Sequence, residues 1–211
     1  MELTVDQNGL KGTLHAAPSS ERALVLTHGA GSNSNAPLLK AVSARLAEHN
    51  WTVFRCDLPF RQRHAGPPRP AEAPADREGL RQALDFLRQQ TGNARLFLGG
   101  HSYGGRQASM LAAENPQDIQ ALLLLSYPLH PPTKPQQLRT AHLPSVHRPT
   151  FFAHGSRDDF GSPEEMREAQ KIIPAPSQLF VVEGAGHDLS GGKKLAFLDA
   201  FLDFANVLER D

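Results

Sequence analysis

The chain has 211 residues, 39% of them apolar and 21% charged, with 22 Lys plus Arg matched by 22 Asp plus Glu. That length suits one domain spanning 1–211 with a substantial core, and the balance is that of a folded soluble protein. Zero net charge excludes a global field for nucleic acid or an acidic membrane, and the densest apolar cluster, ALLLL at 121–125, is too short to span a bilayer. A single cysteine, Cys56, forms no intrachain disulfide, and the opening MELTVDQNGLKG has no basic, apolar leader, so the expected location is cytoplasmic.

Taken in order, ELTVDQNGLKGTLHA predicts an edge hairpin turning at Asn8-Gly9, a pair that tolerates positive φ. ALVLTHG (23–29) reads as a buried strand, and residues 37–49 as a helix with Leu38, Leu39, Val42, Leu46 and Ala47 on one face. Further strands are expected at 51–58, 94–100, 119–127, 149–155 and 178–186, and helices at 76–90, 103–114, 163–173 and 193–208. This alternation predicts an α/β fold, a mostly parallel sheet with helices on both faces. Two proline-rich connections, 58–75 and 128–149, follow strand ends, where open α/β sheets place their ligand crevice.

Gly100-His101-Ser102-Tyr103-Gly104 matches G-x-S-x-G between an apolar strand and a helix-compatible segment, the setting in which a sharp turn exposes a serine oxygen. Serine needs a base, and the base a carboxylate that orients it. His187, in the turn after the last strand, is the candidate base. No acidic residue lies between Asp118 and Asp158, so the acid comes from HGSRDDFG, where the G-x-x-D spacing from Gly155 favours Asp158 and Asp159 is the alternative. The order Ser102, Asp158, His187 is that of α/β-hydrolase triads. HGAGSNSN at 28–35 offers the Ala30 amide as one oxyanion donor, and Tyr103 N–H would be the second. Four histidines at strand ends (His28, His101, His154, His187) raise a metal reading, but no ligand-spaced motif accompanies them. Neither a metal nor another cofactor is expected.

HGAGSNSN, DLPFRQR, GGHSYGGRQASM, SYPLHPPTKPQQLRTAHL and HGSRDDFG together resemble the α/β-hydrolase superfamily. Within it they are similar to small dienelactone-hydrolase-like proteins related to the testis-expressed protein thirty and NSL-complex subunit three domain. The resemblance covers nearly the whole chain and implies the nucleophile, acid and base roles at Ser102, Asp158 and His187. Dienelactone hydrolases use cysteine where this chain has Ser102, so their specific activity does not carry over. Members in chromatin complexes imply a rival reading, a non-catalytic interaction protein.

Sixteen of the 22 basic residues are arginine, and Arg55, Arg61, Arg63 and Arg69 cluster opposite only Asp57. With Arg157 beside the proposed acid and Lys134, Arg139 and Arg148 in the other proline-rich connection, a site for an anionic acyl substrate is expected, with Arg61, Arg63 and Arg157 as its candidate binders and structural ion pairs as the alternative. The 22 residues from 128 to 149 cannot fold into a helical cap, so the site is expected to be shallow and walled by loops. Carboxylic ester hydrolysis leads; a thioesterase, an amidase or a cofactor-free haloperoxidase would use the same groups. The expected partner is a small molecule, and Cys56 is expected to be a buried, inert thiol.

Overall fold

The computed structural model describes residues 1–115, 118–190 and 195–208. Eight strands form one sheet: β1 (Glu2–Gln7), β2 (Leu10–His15), β3 (Arg22–Thr27), β4 (Trp51–Cys56), β5 (Arg95–His101), β6 (Ala121–Leu125), β7 (Thr150–Gly155) and β8 (Ser177–Val182). Their spatial order is β1-β2-β4-β3-β5-β6-β7-β8. The hairpin β1–β2 is antiparallel and pairs antiparallel to β4; every other pairing is parallel. Asn8 and Gly9 both have positive φ, 51° and 80°, which the tight hairpin turn requires.

The helices are α1 (Pro37–Glu48), α2 (Pro59–Arg63), α3 (Ala73–Thr91), α4 (Tyr103–Glu114), α5 (Pro163–Gln170) and α6 (Ala196–Val207). Because strand side chains alternate, the fully buried β3 and β6 feed two cores at once. Leu24, Leu26, Leu123 and Leu125 pack with Trp51 and Phe201 under α1 and α6. Val25, Leu122 and Leu124 pack with Leu80, Ala108 and Met166 under α3, α4 and α5. Each fully buried leucine or phenylalanine contributes about 1.5–3 kcal/mol.

Most expected elements appear within a few residues of the positions read from the sequence. Three differ. Helix α3 begins three residues early because Pro74 sits in its first turn, where a missing N–H costs nothing. The strand expected at 178–186 stops at Val182, since Gly184 turns the chain with a φ of 76°. The proline-rich 58–75 connection contains α2, whose Phe60 is buried. The start of the helix expected at 193–208 lies partly outside the described residues. The 128–149 connection carries only a short 3-10 turn, Leu143–Ser145, and no cap.

The chain runs from β3 outward to β4 and then back across β3 to β5. At this reversal the loops leaving β3 and β5 diverge to opposite sides, so a crevice opens at their carboxyl ends. His28–Ser34 leaves one of those strands and Ser102 the other.

Candidate active site

Ser102 sits between β5 and α4 with φ 51° and ψ −118°, a conformation an L-residue adopts only when its surroundings enforce it. The enforcement is visible. Ser102 N–H donates to Leu125 O at 2.8 Å, and Gly104 lets α4 approach the β3 exit. A Cβ on Gly104 would lie 2.5 Å from His28 O, so only glycine brings the start of α4 against the His28–Ser34 loop. That approach places the Tyr103 amide, at the start of α4, near the Ala30 loop. Neither amide has a hydrogen-bond acceptor among the described residues.

His187 follows β8. Its Nε2 lies 2.7 Å from Ser102 Oγ, and its Nδ1 lies 2.9 and 2.8 Å from the two oxygens of Asp158. The arrangement suits Nδ1–H donating to the carboxylate and Nε2 accepting from the serine hydroxyl. The Asp158 side chain is wholly buried, and its Oδ1 also accepts Phe160 N–H at 2.9 Å. Asp159 is exposed, and no hydrogen bond joins it to His187. Gly155 joins the two turns: a Cβ there would sit 2.4 Å from Ala185 O, so β7's exit and the His187 turn pack backbone to backbone.

The other strand-end histidines have local partners. Leu58 N–H donates to His28 Nε2 at 3.1 Å, so Nδ1 carries the proton and donates to Gly29 O at 2.8 Å. His101 Nε2 donates to His187 O at 2.8 Å and His154 Nε2 to Gly161 O at 2.7 Å. Burial lowers the pKa of all three, which keeps them neutral donors. Among the described residues no group of three His, Cys, Asp or Glu side chains is arranged to hold a metal ion. The Cys56 thiol is buried, which pushes its pKa up to about 12.

A cleft of about 640 Å³ opens at Ser102, walled by Ala30, Tyr103, Pro68, Pro128 and Phe160. Sequence reasoning missed Phe160, whose ring stacks on His187 at 4.1 Å and 28°. It also missed Asp76, buried on α3, which accepts Tyr103 Oη–H at 2.7 Å and Phe60 N–H at 2.9 Å. The three candidate binders, Arg61, Arg63 and Arg157, do not line the cleft. Arg61 Nη2 donates to Ala30 O at 2.6 Å and its guanidinium also bonds Ala65 O, so it braces the loop that carries the Ala30 amide. Arg63 lies 3.5 Å from Glu72, and Arg157 is exposed. Arg55 is buried against Glu2 at 2.7 Å. The cleft is lined by Arg69 and Arg139, from the two proline-rich connections, and by Arg77 and Arg106, which the sequence reading did not single out. For Arg106 a signal existed: it stands four residues after Ser102 on a predicted helix, hence on the same face.

The fold recurs in solved structures. Dienelactone hydrolase from Anabaena variabilis superposes with a TM-score of 0.77 at 21% identity, covering 97% of this chain and 95% of that one. Est1E from Butyrivibrio proteoclasticus gives 0.79 at 16% identity over 100% and 99%, and a second structure of it holds ferulic acid. TT1662 from Thermus thermophilus gives 0.78 at 20% identity over 99% and 98%. At such identities the likeness is one of fold. The family profile of the alpha/beta hydrolase domain matches residues 20–198, and the chain therefore belongs to the alpha/beta hydrolase domain family.

Proposed function

We propose that the protein is a serine hydrolase that cleaves a small acyl ester through an acyl-enzyme intermediate. The observation that carries this reading is the continuous relay from Ser102 Oγ through His187 to the buried Asp158, with contacts of 2.7 and 2.8 Å, on a serine held at positive φ. Ser102 Oγ attacks the carbonyl carbon as His187 Nε2 takes its proton, and Asp158 stabilises the imidazolium. The Ala30 and Tyr103 amides receive the oxyanion, each donor contributing a few kcal/mol to the transition state. His187 returns the proton to the departing alcohol. A water then attacks the acyl-enzyme by the same steps in reverse order and releases the acid. The chemistry calls on no cofactor, and the balanced net charge suits a small-molecule partner in the cytoplasm rather than nucleic acid or membrane. With no cap over the cleft, short acyl chains suit it better than long lipids.

A fluorophosphonate probe tests the reading. Wild type is expected to label and Ser102→Ala not to label; unlabelled wild type of native melting temperature would instead favour a non-catalytic interaction protein.

A further inference from the structure

The reaction as described leaves the cleft arginines without a task. Arg77 is accounted for, its Nε 2.8 Å from Glu114 and its Nη1 donating to Gln107 Oε1 at 3.2 Å, and Arg69 is exposed on the rim. Arg106 and Arg139 are different. Neither pairs with a carboxylate among the described residues. The sequence explains why: there is no Asp or Glu from 119 to 157, and the first acid after Ser102 on α4 is Glu114, already held by Arg77. Arg106 Nε is buried without a hydrogen-bond partner. Its guanidinium approaches the Tyr127 hydroxyl, and Arg139 gives one N–H to Pro128 O at 3.2 Å. Burial, then the nearby Arg106, lowers the pKa of Arg139, so the two cations are close enough to repel.

Their placement relative to the nucleophile is set by α4. Arg106 N–H donates to Ser102 O at 3.0 Å, which puts Arg106 one helical turn, about 5.4 Å, along the same face. Arg106 and Ser102 line the same cleft. Met110, a further turn on, continues the cleft floor. Arg139 faces it from the 128–149 connection, anchored by its own N–H to Leu129 O at 2.8 Å and by Tyr127 Oη–H to its carbonyl at 2.6 Å.

We propose that Arg106 and Arg139 form a clamp for a carboxylate on the substrate, so that the ester attacked by Ser102 carries a free carboxylate a few bonds from the scissile carbonyl. The specificity follows from the serine-hydrolase reading; the clamp itself does not require it. Two guanidiniums with no internal anion present a planar fork that a carboxylate matches, and the bound anion relieves their mutual repulsion. A phosphate dianion suits the cleft less well. Apart from its arginines the cleft is lined mainly by proline, alanine, methionine and aromatic side chains, which offer little to replace the water such an ion gives up.

The experiment compares kcat/KM for mono-4-nitrophenyl adipate with that for 4-nitrophenyl hexanoate, acyl chains of equal length with and without the carboxylate. Wild type is expected to favour the adipate. In Arg106→Gln and in Arg139→Gln the adipate-to-hexanoate ratio should fall roughly 10- to 100-fold, the range for losing a charge-assisted contact. Arg81→Gln, which removes one charge from the exposed side of α3, should leave the ratio unchanged. An unchanged ratio in the folded cleft variants, or a wild type that favours hexanoate, overturns the proposal. Adipate alone should also raise the melting temperature of wild type and not of Arg106→Gln, whether or not any ester is turned over. No rise, or an equal rise with inorganic phosphate, overturns the carboxylate clamp, whereas a rise without fluorophosphonate labelling upholds it while refuting the hydrolase reading.

Discussion

The two proline-rich walls of the cleft treat their arginines in opposite ways. In the 58–75 wall most cations are matched within the protein: Arg61 holds the Ala30 carbonyl, Arg63 meets Glu72, and His64 Nε2 lies 3.1 Å from both Glu72 oxygens, while Arg69 is exposed on the rim. In the 128–149 wall there is no acid, and Arg139 faces Arg106 with none between them. A dense arginine cluster in sequence therefore marked structure, because carboxylates such as Glu72 and Asp76 lie close by in the chain. Arg139, from an acid-free stretch, and Arg106 opposite it are the ones left for a ligand. An anion site is announced less by how many cations there are than by which lack a partner.

The largest expected effect concerns the relay between the walls. Asp158→Asn should lower kcat about 10⁴-fold by favouring the wrong imidazole tautomer, while exposed Asp159→Asn should stay near wild type. Steady-state hydrolysis of 4-nitrophenyl hexanoate measures both, and a larger loss in the Asp159 variant would reassign the acid. Next comes the first wall itself. Arg61→Ala should reduce kcat by about tenfold on neutral and carboxylate-bearing esters alike, since it frees the loop that presents Ala30 N–H rather than a substrate contact. A loss confined to the carboxylate-bearing ester would place Arg61 in the clamp and erase the contrast between the walls.

Much of this was legible in the sequence because its cues are local. G-x-S-x-G, G-x-x-D and the EGAGHD turn each lie within one strand exit, and β3, β5, β7 and β8 run parallel, so their exits gather at one edge. Sheet order was not legible: no local pattern reveals that β5 returns across β3, the step that sets Ala30 beside Tyr103. Nor was the fate of Arg61 legible, since it depends on a carbonyl 31 positions away and on α2, a five-residue helix hidden in a proline-rich run. Phe160 carried no local cue; its stacking on His187 arises only when the β7 and β8 turns meet at Gly155.

A smaller effect is expected where the first wall meets α4. Asp76 is buried, which raises its pKa, while Tyr103 Oη–H and Phe60 N–H oppose that shift. Tyr103→Phe removes one of two donors to a buried carboxylate and should cost about 1–3 kcal/mol. In a chain of this size each kcal/mol lowers the melting temperature by about 2–4 °C. The Tyr103 backbone amide survives the change, so kcat should fall far less than in Arg61→Ala. A kcat loss as deep as that of Arg61→Ala would mean the phenol itself acts in turnover.

The second wall gives the smallest and most diagnostic signal. His142 Nε2–H donates to Ser109 Oγ at 2.8 Å, and burial first, then Arg106 and Arg77, push its pKa down to about 4. An ordinary histidine titrates near 6.5, so between these values the unfolded chain binds the extra proton and the folded one does not. The stability that neutral His142 contributes is complete above pH 6.5 and is lost as pH falls through about 4. Solvent screening of this partly exposed ring holds the effect to about 1 kcal/mol. Other histidines steepen the same limb, His28, His101 and His154 among them, so the readout is the difference between proteins. Melting curves from pH 7 to pH 4 should fall less steeply for His142→Gln than for wild type. If Arg106 is in place as an unneutralised cation, Arg106→Gln should also flatten the wild-type curve, by raising the pKa of His142. An Arg106→Gln slope identical to wild type, with His142→Gln still flatter, would mean that the cations beside His142 are neutralised, and the contrast between the walls would fail.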